Sequence, residues 1–357
     1  DPIVKASDLL LQERAPRDVA VSRPRAEEVK TAAHVLDLHG PVSRRFTSPH
    51  DPLPPTNLLS NGNYAVMITA AGSGYSRWRD LAVTRWREDT TRDAYGQYIF
   101  LRDVDSGQVW STGHQPSGVE ADSYEAVFSE DRAEIRRRDG AIATQLEVVV
   151  SPEDDAEVRR VTITNLGTRV RQIELTSYAE IVLAPPAADG AHPAFSNLFV
   201  RTEANPASNA LFATRRPRSA EESPVWLAHV VAVDEHLVGA VQYETDRARF
   251  LGRGRGIRTP MSVIDGRPLS NTVGAVLDPI FSLRPRIRLP AGASARITFS
   301  TVVAASLGYR AGRDGGAPLR CPVPLHNLFL LGIRNTLWVF RLVGAWWLVD
   351  GLLRVAR

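Results

Sequence analysis

From Leu58 to Ala305 the chain is a succession of short apolar runs separated by turn residues, with almost no helical periodicity in that stretch. The runs include NYAVMITA (63–70), LAVTRWR (81–87), QYIFLRD (97–103), QVWST (108–112), YEAVFS (124–129), AIATQLEVVVSP (141–152), EVRRVTITNL (157–166) and VRQIELTSYAEIVL (170–183). A second block repeats the style in VWLAHVVAV (225–233), LVGAVQYET (237–245), AVLDPIFSLRPRIRLP (275–290) and ARITFSTVVAA (295–305). Asn61-Gly62, Asp105-Ser106-Gly107 and Asp139-Gly140 supply tight turns between strands. Strands on this scale without βαβ alternation predict an all-β fold: a large antiparallel sandwich of two packed sheets.

Local pairings follow from the same pattern. The turn Asn165-Leu166-Gly167-Thr168 predicts a hairpin over 157–183, and Pro290-Ala291-Gly292-Ala293 a simple turn before the last strand. The mixed-sign run Glu134-Ile135-Arg136-Arg137-Arg138-Asp139 reads as a solvated strand face.

The flanks differ in character. Residues 3–14 predict a short helix, and the Pro-rich stretch up to residue 57 an extended connector, because proline at that density blocks both helix and central strand. Residues 306–324 are rich in Gly, Pro and Arg, and 325–357 are apolar with Trp338, Trp346 and Trp347. Arg334, Arg341 and Asp350 interrupt this tail, so no interval reaches the roughly 20 apolar residues of a spanning helix. It reads as an interfacial helix, a C-terminal helix packed on the sandwich, or the out-of-frame end of a truncated gene. The expected division is therefore 1–57 helix and connector, 58–305 sandwich, and 306–357 atypical tail. A chain opening Asp1-Pro2-Ile3 also reads as an excerpt or a processed product.

Charge excludes some functions. A net +3 from 43 basic and 40 acidic residues spread along the chain is no nucleic-acid footprint. The single Cys321 excludes an internal disulfide framework and has no partner expected of a cysteine nucleophile. The histidines, His50, His114, His192, His229 and His236 among them, form no HxH or HExxH pair, so neither metal nor cofactor is expected. The acid clusters Glu88-Asp89, Asp103/Asp105 and Glu153-Asp154-Asp155 sit at turns or strand ends, where solvation and capping explain them, so no catalytic residue is assigned. Asp103 to Gly107 mimics the start of a calcium loop but lacks the closing Glu, and reads as a hairpin turn. GRGRG (252–256) follows a strand-like run with no helix after it, which argues against a phosphate loop.

Residues 58–116 carry the most specific signal: SNGNY (60–64), GSGYSRWRD (72–80), TRWRED (84–89), YIFLRD (98–103) and SGQVWS followed by QP (106–116). Together with LLLQERAPRDVAV (9–21), TSYAEIVLAPPAAD (176–189), AHPAFSNLFV (191–200) and DRARFLGRGRG (246–256), this stretch resembles the supersandwich domain of cyclic β-1,2-glucan synthases, which also contain cellobiose-phosphorylase-like (glycosyltransferase family 36-type) modules. The resemblance covers about residues 1–305. It implies a parent enzyme at a bacterial inner membrane whose catalytic carboxylates lie on helical barrels. This chain would be a non-catalytic, soluble, cytoplasmic piece lacking that barrel, and itself inactive. Its implied partners are an adjacent helical-barrel domain or a β-glucan saccharide, with the membrane reached only through the parent. The alternative is an autonomous carbohydrate-binding module.

Within GSGYSRWRD, glycines let the backbone approach a ligand. Tyr75 and Trp78 are suited to stack on a glucose face, and Arg77, Arg79 and Asp80 to hydrogen-bond hydroxyls. The resemblance places this loop towards the barrel, edging its saccharide groove. The other reading is a structural hairpin whose aromatics cap the sandwich or fill a domain interface. Arg85 and Trp86 read as core and edge residues of the next strand.

Overall fold

Apolar alternation along consecutive strands needs two facing sheets to bury it, and the chain supplies them. The computed structural model describes residues 43–87, 95–217, 222, 224–234 and 237–304. The expected helix at 3–14, the early connector and the tail from 306 lie outside the described residues, as do Glu88, Asp89, His236 and Cys321.

The first strands are β1 (Arg44–Phe46), β2 (Thr56–Ser60), β3 (Tyr64–Thr69), β4 (Gly74–Trp78), β5 (Leu81–Thr84), β6 (Tyr98–Asp103) and β7 (Val109–Ser111). Next come β8 (Ser123–Phe128), β9 (Ala133–Asp139), β10 (Ile142–Val150), β11 (Ala156–Asn165), β12 (Arg171–Ala184), β13 (Val200–Asn205) and β14 (Ala210–Arg215). The last are β15 (Val225–Val233), β16 (Gln242–Asp246), β17 (Pro279–Arg284), β18 (Arg286–Leu289) and β19 (Ser294–Ala304). One sheet runs β1-β8-β9-β10-β11-β19-β15-β14-β13. The other runs β16-β17-β12-β5-β4-β3-β2, with β6 and β18 also on β12 and β7 on β6. The large antiparallel sandwich is therefore the fold. No helix among the described residues is long and apolar enough to cross a membrane.

The expected hairpin over 157–183 does not form. Both edges of β11 are taken, by β10 and β19, while β12 pairs in the other sheet. The turn at 165–168 is thus a crossing between sheets, and the turn at 290–293 crosses back beside it. Asn165 knits the two crossings: its amide nitrogen donates to the carbonyls of Arg169, Leu289 and Pro290, and its backbone N–H to Ala293. Period-2 patterning marks a strand but not its sheet, so the short turn alone was misleading.

Other local expectations shift as well. DRARFL is not strand-like throughout: Arg247–Leu251 is a short helix, capped by the Asp246 carboxylate accepting from the Ala248 N–H. The run 237–245 becomes strand only at Gln242, and 275–290 splits into β17 and β18. In β9 only alternate charges are solvated. Arg137 and Asp139 share the buried face with Ile135 and pair at 2.5 Å, their burial offset by that ion pair and by the Gly113 carbonyl.

The core between the sheets includes Val66, Ile99, Leu146, Val161, Leu175 and Phe299. Strand β12 is buried from Ile173 to Ala184, on both faces. Its odd residues Ile173, Leu175, Ile181 and Leu183 fill the sandwich. Its even residue Tyr178 packs on the opposite face with Phe250, Leu251 and Val263 from two short helices, Arg247–Leu251 and Met261–Ile264. That covered outer face of the second sheet is where polar groups collect.

His229 of β15 joins the sheets. Its ring lies between Phe281 and Phe299, each 5.9 Å away. Its Nε2 contacts Ser177 Oγ and its Nδ1 Thr301 Oγ1, both at 3.0 Å. Burial, with the nearby Arg159 charge, lowers its pKa from 6.5 to about 3. Between those values the unfolded chain binds a proton that the folded one excludes. Stability therefore falls as pH drops below about 6.5, by up to about 1.4 kcal/mol per unit. Unfolding midpoints measured from pH 7 to 4 are expected to show a shallower acid slope in His229→Gln than in the parent chain.

Candidate functional site

The GSGYSRWRD segment is built on a steric demand for glycine. Gly74 has φ +155°, and a Cβ there would lie 1.9 Å from the Met67 carbonyl oxygen. Close approach of β3 and β4 thus requires this residue. Beyond it, strand alternation sends the side chains to two sides. Ser76 and Trp78 point into the sandwich, where Ser76 Oγ donates to the buried Glu157 at 2.5 Å. Trp78 is 5% exposed, and its Nε1–H donates to Asp155 Oδ2 at 2.5 Å. Tyr75 and Arg77 take the outer face of the second sheet, the Tyr75 ring 5.6 Å from Trp86.

Arg77, Arg79 and Asp80 shape the β4–β5 turn. Arg79 adopts φ +51°, its guanidinium lies 4.7 Å from the Trp78 ring, and its carbonyl accepts from Arg77 Nε at 2.8 Å. Arg77 and Asp80 form an exposed 3.7 Å ion pair. The five residues are therefore adjacent but do not share one surface: Tyr75 and Arg77 are presented outward, while the faces of Trp78 are occupied by packing and by Arg79.

The register Leu58↔Met67↔Tyr75 sets an apolar row across β2, β3 and β4 on the outer face. Leu58 is 62% exposed. Just past β5 this face becomes charged. Arg85 is buried at the centre, and its Nε and Nη2 grip both Asp189 carboxylate oxygens at 3.2 Å. Its Nη1 donates to Glu180 at 2.8 Å and to Asp278 at 3.2 Å, and its Nη2 to Asn197 at 2.8 Å. Arg247 holds the remaining oxygens of Glu180 (2.9 Å) and Asp278 (3.3 Å), and Arg87 reaches Asp189 at 3.0 Å. Tyr178 donates its hydroxyl to Glu180 at 2.8 Å. Burial opposes the Arg85 charge, but the Asp189 hydrogen bonds and the three carboxylates overcome it and raise its pKa.

Sequence reading treats Arg85 only as a core or edge residue. The partners that make it a hub lie 95 to 193 residues away, and no local spacing signals them. The hub floors a cleft of about 560 Å³ lined by Arg85, Arg87, Tyr95, Asn197, Arg247 and Asp278. Guanidinium groups, an amide and a phenol suit hydroxyl-rich or anionic ligands and a polar domain surface.

Two members of the acid clusters have defined side-chain partners. Asp103 accepts the Asp105 N–H in its turn and pairs with Arg171 at 2.5 Å, and Asp155 serves Trp78. In the GRGRG loop Arg255 pairs with Asp265 at 2.8 Å. One convergence escapes a search for local histidine pairs: the side chains of His50, His114 and Glu120 meet with their ligand atoms within 4.8 Å of one another.

Comparison with known proteins agrees with this architecture. Residues 39–309 match the family model described as glycosyl hydrolase 94, supersandwich domain. The cyclic beta-(1,2)-glucan synthase NdvB of Rhizobium meliloti (strain 1021) is 41% identical over 304 residues, which is 85% of this chain and 11% of NdvB. An N,N'-diacetylchitobiose phosphorylase of Vibrio furnissii is 27% identical over 227 residues, covering 62% of this chain and 27% of that enzyme. A solabiose phosphorylase of Paenibacillus borealis is 26% identical over 291 residues, covering 80% and 36% respectively. The chain thus spans about a third or less of these relatives.

Proposed function

The chain belongs to the glycosyl hydrolase 94 supersandwich family, and on that premise we propose that it is the non-catalytic β-sandwich of a cyclic β-1,2-glucan synthase-like enzyme, supporting a helical-barrel domain that carries the glycosyl-transfer chemistry. The observation that carries this reading is the Arg85 hub. Glycosidic bond chemistry calls for two carboxyl groups about 5–10 Å apart with one available as an acid. In this cleft Glu180, Asp189 and Asp278 are each engaged by two of Arg85, Arg87 and Arg247. Such an arrangement makes a rigid polar surface rather than an acid–base pair. A cytoplasmic position beside a membrane-embedded parent fits the same reading.

The docking face is the outer side of the second sheet, where the Leu58–Met67–Tyr75 row adjoins Trp86 and the cleft. Mixing this chain with the helical catalytic part of a family relative should slow backbone hydrogen exchange over residues 58–87. Protection confined to the opposite sheet, or no complex, would overturn that placement.

The paired rings of Tyr75 and Trp86 on that face favour a second reading, a carbohydrate-binding module. Titration with linear and cyclic β-1,2-glucans separates the two. Saturable binding lost in Tyr75→Ala supports the module, and no binding at millimolar sugar removes it.

A further inference from the structure

We propose that His50, His114 and Glu120 bind one zinc ion that ties the segment before β2 to the loop between β7 and β8. His50 Nε2 lies 3.0 Å from Glu120 Oε1, and His114 Nδ1 lies 3.9 Å from the same oxygen. The two imidazoles meet edge to face with centroids 4.7 Å apart. Tetrahedral zinc with bonds of about 2.0–2.1 Å sets its ligand atoms roughly 3.3 Å apart. The present spacing therefore needs adjustment of about an ångström or so, and two of the three side chains are free to make it: those of His50 and Glu120 are 54% and 69% exposed.

His114 is the fixed member, its side chain 12% exposed. Burial lowers its pKa, and the neighbouring Arg137 and Arg258 charges act in the same direction against the raising influence of Glu120. The Arg137 charge is itself engaged by Asp139 at 2.5 Å, which limits its repulsion of a cation. Two imidazoles and one carboxylate with a fourth position open to water suit zinc, whereas calcium and magnesium take oxygen ligands.

The site would also brace the glycine segment. The loop carrying His114 packs on it: a Cβ at Gly72 would lie 3.2 Å from the Gly113 Cα, and the Gln115 N–H donates to the Ala71 carbonyl at 2.9 Å. Zinc would then fasten the connector, the β7–β8 loop and the β3–β4 turn together.

The test is titration of chelator-stripped chain with zinc chloride, read by calorimetry, zinc X-ray absorption and thermal unfolding. The expected result is one zinc per chain with two imidazoles in its shell and a raised unfolding midpoint. His50→Ala and Glu120→Gln, both at exposed side chains, should each weaken binding at least tenfold and abolish the midpoint shift. Absence of saturable uptake at 100 μM zinc (an order-of-magnitude ceiling of about 10⁻⁴ M), or uptake unchanged in both variants, which is an adventitious ion only, would overturn the site.

Discussion

Arg85→Ala is expected to destabilise the fold by about 3–5 kcal/mol, because it removes the one guanidinium that binds all three carboxylates of the cleft and leaves each with a single, partly exposed arginine. Glu180 and Asp189 are nearly inaccessible to water, and neither Arg87 nor Arg247 replaces the central donor, since their own side chains are 31% and 34% exposed and already bound to these carboxylates. The hub also gathers five separate pieces: the end of β5, strand β12, the short helices Pro186–Ala191 and Pro193–Asn197, and the residue before β17. Its loss should therefore loosen the whole outer face. Arg85→Lys should rescue little, since a single ammonium cannot reproduce the two-pronged grip on Asp189 and still reach Asn197. Denaturant unfolding midpoints read this directly, with Arg77→Ala as a control. Arg77 makes only exposed contacts, an ion pair with Asp80 and a hydrogen bond to the Arg79 carbonyl, and its removal should change stability by about 0.5 kcal/mol or less.

Trp78→Ala should cost a similar amount, about 3–5 kcal/mol, the range for truncating a buried aromatic. Its ring is buried in the hydrophobic core, and its indole N–H is the donor that occupies Asp155. Tyr75→Ala, three residues earlier, should cost far less in stability. Its ring lies half-buried on the outer face, and its loss should register in docking or saccharide binding instead. The pair of variants separates the two sides of β4: one lowers the unfolding midpoint, the other lowers affinity. Equal loss of stability in both would contradict the assignment of faces.

The sandwich was legible because alternation over 58–305 is dense and turn chemistry punctuates it. The crossing at Asn165 was not, because a four-residue turn looks the same whether its strands pair or part. Strands β13 and β14 were missed between two better-marked blocks, and VRTEAN and ALFATR lack long β-branched runs. At the candidate site, proximity in sequence grouped Tyr75 with Trp78, and the period of 2 places them on opposite faces. Arg85 and the histidine pair were invisible for a common reason. Their partners arrive from distant strands and loops, with Glu120 lying 70 residues from His50, and only the closed fold brings such groups together.

In the proposed role the sandwich supports glycosyl-transfer chemistry without performing it. Incubating the purified chain with linear β-1,2-glucan, alone and with inorganic phosphate, and with a nucleotide-activated glucose tests it most directly. The expected result is no released oligosaccharide, glucose 1-phosphate or new glucan above the rate without protein. Turnover proportional to chain concentration and abolished by Glu180→Gln or Asp278→Asn would contradict it.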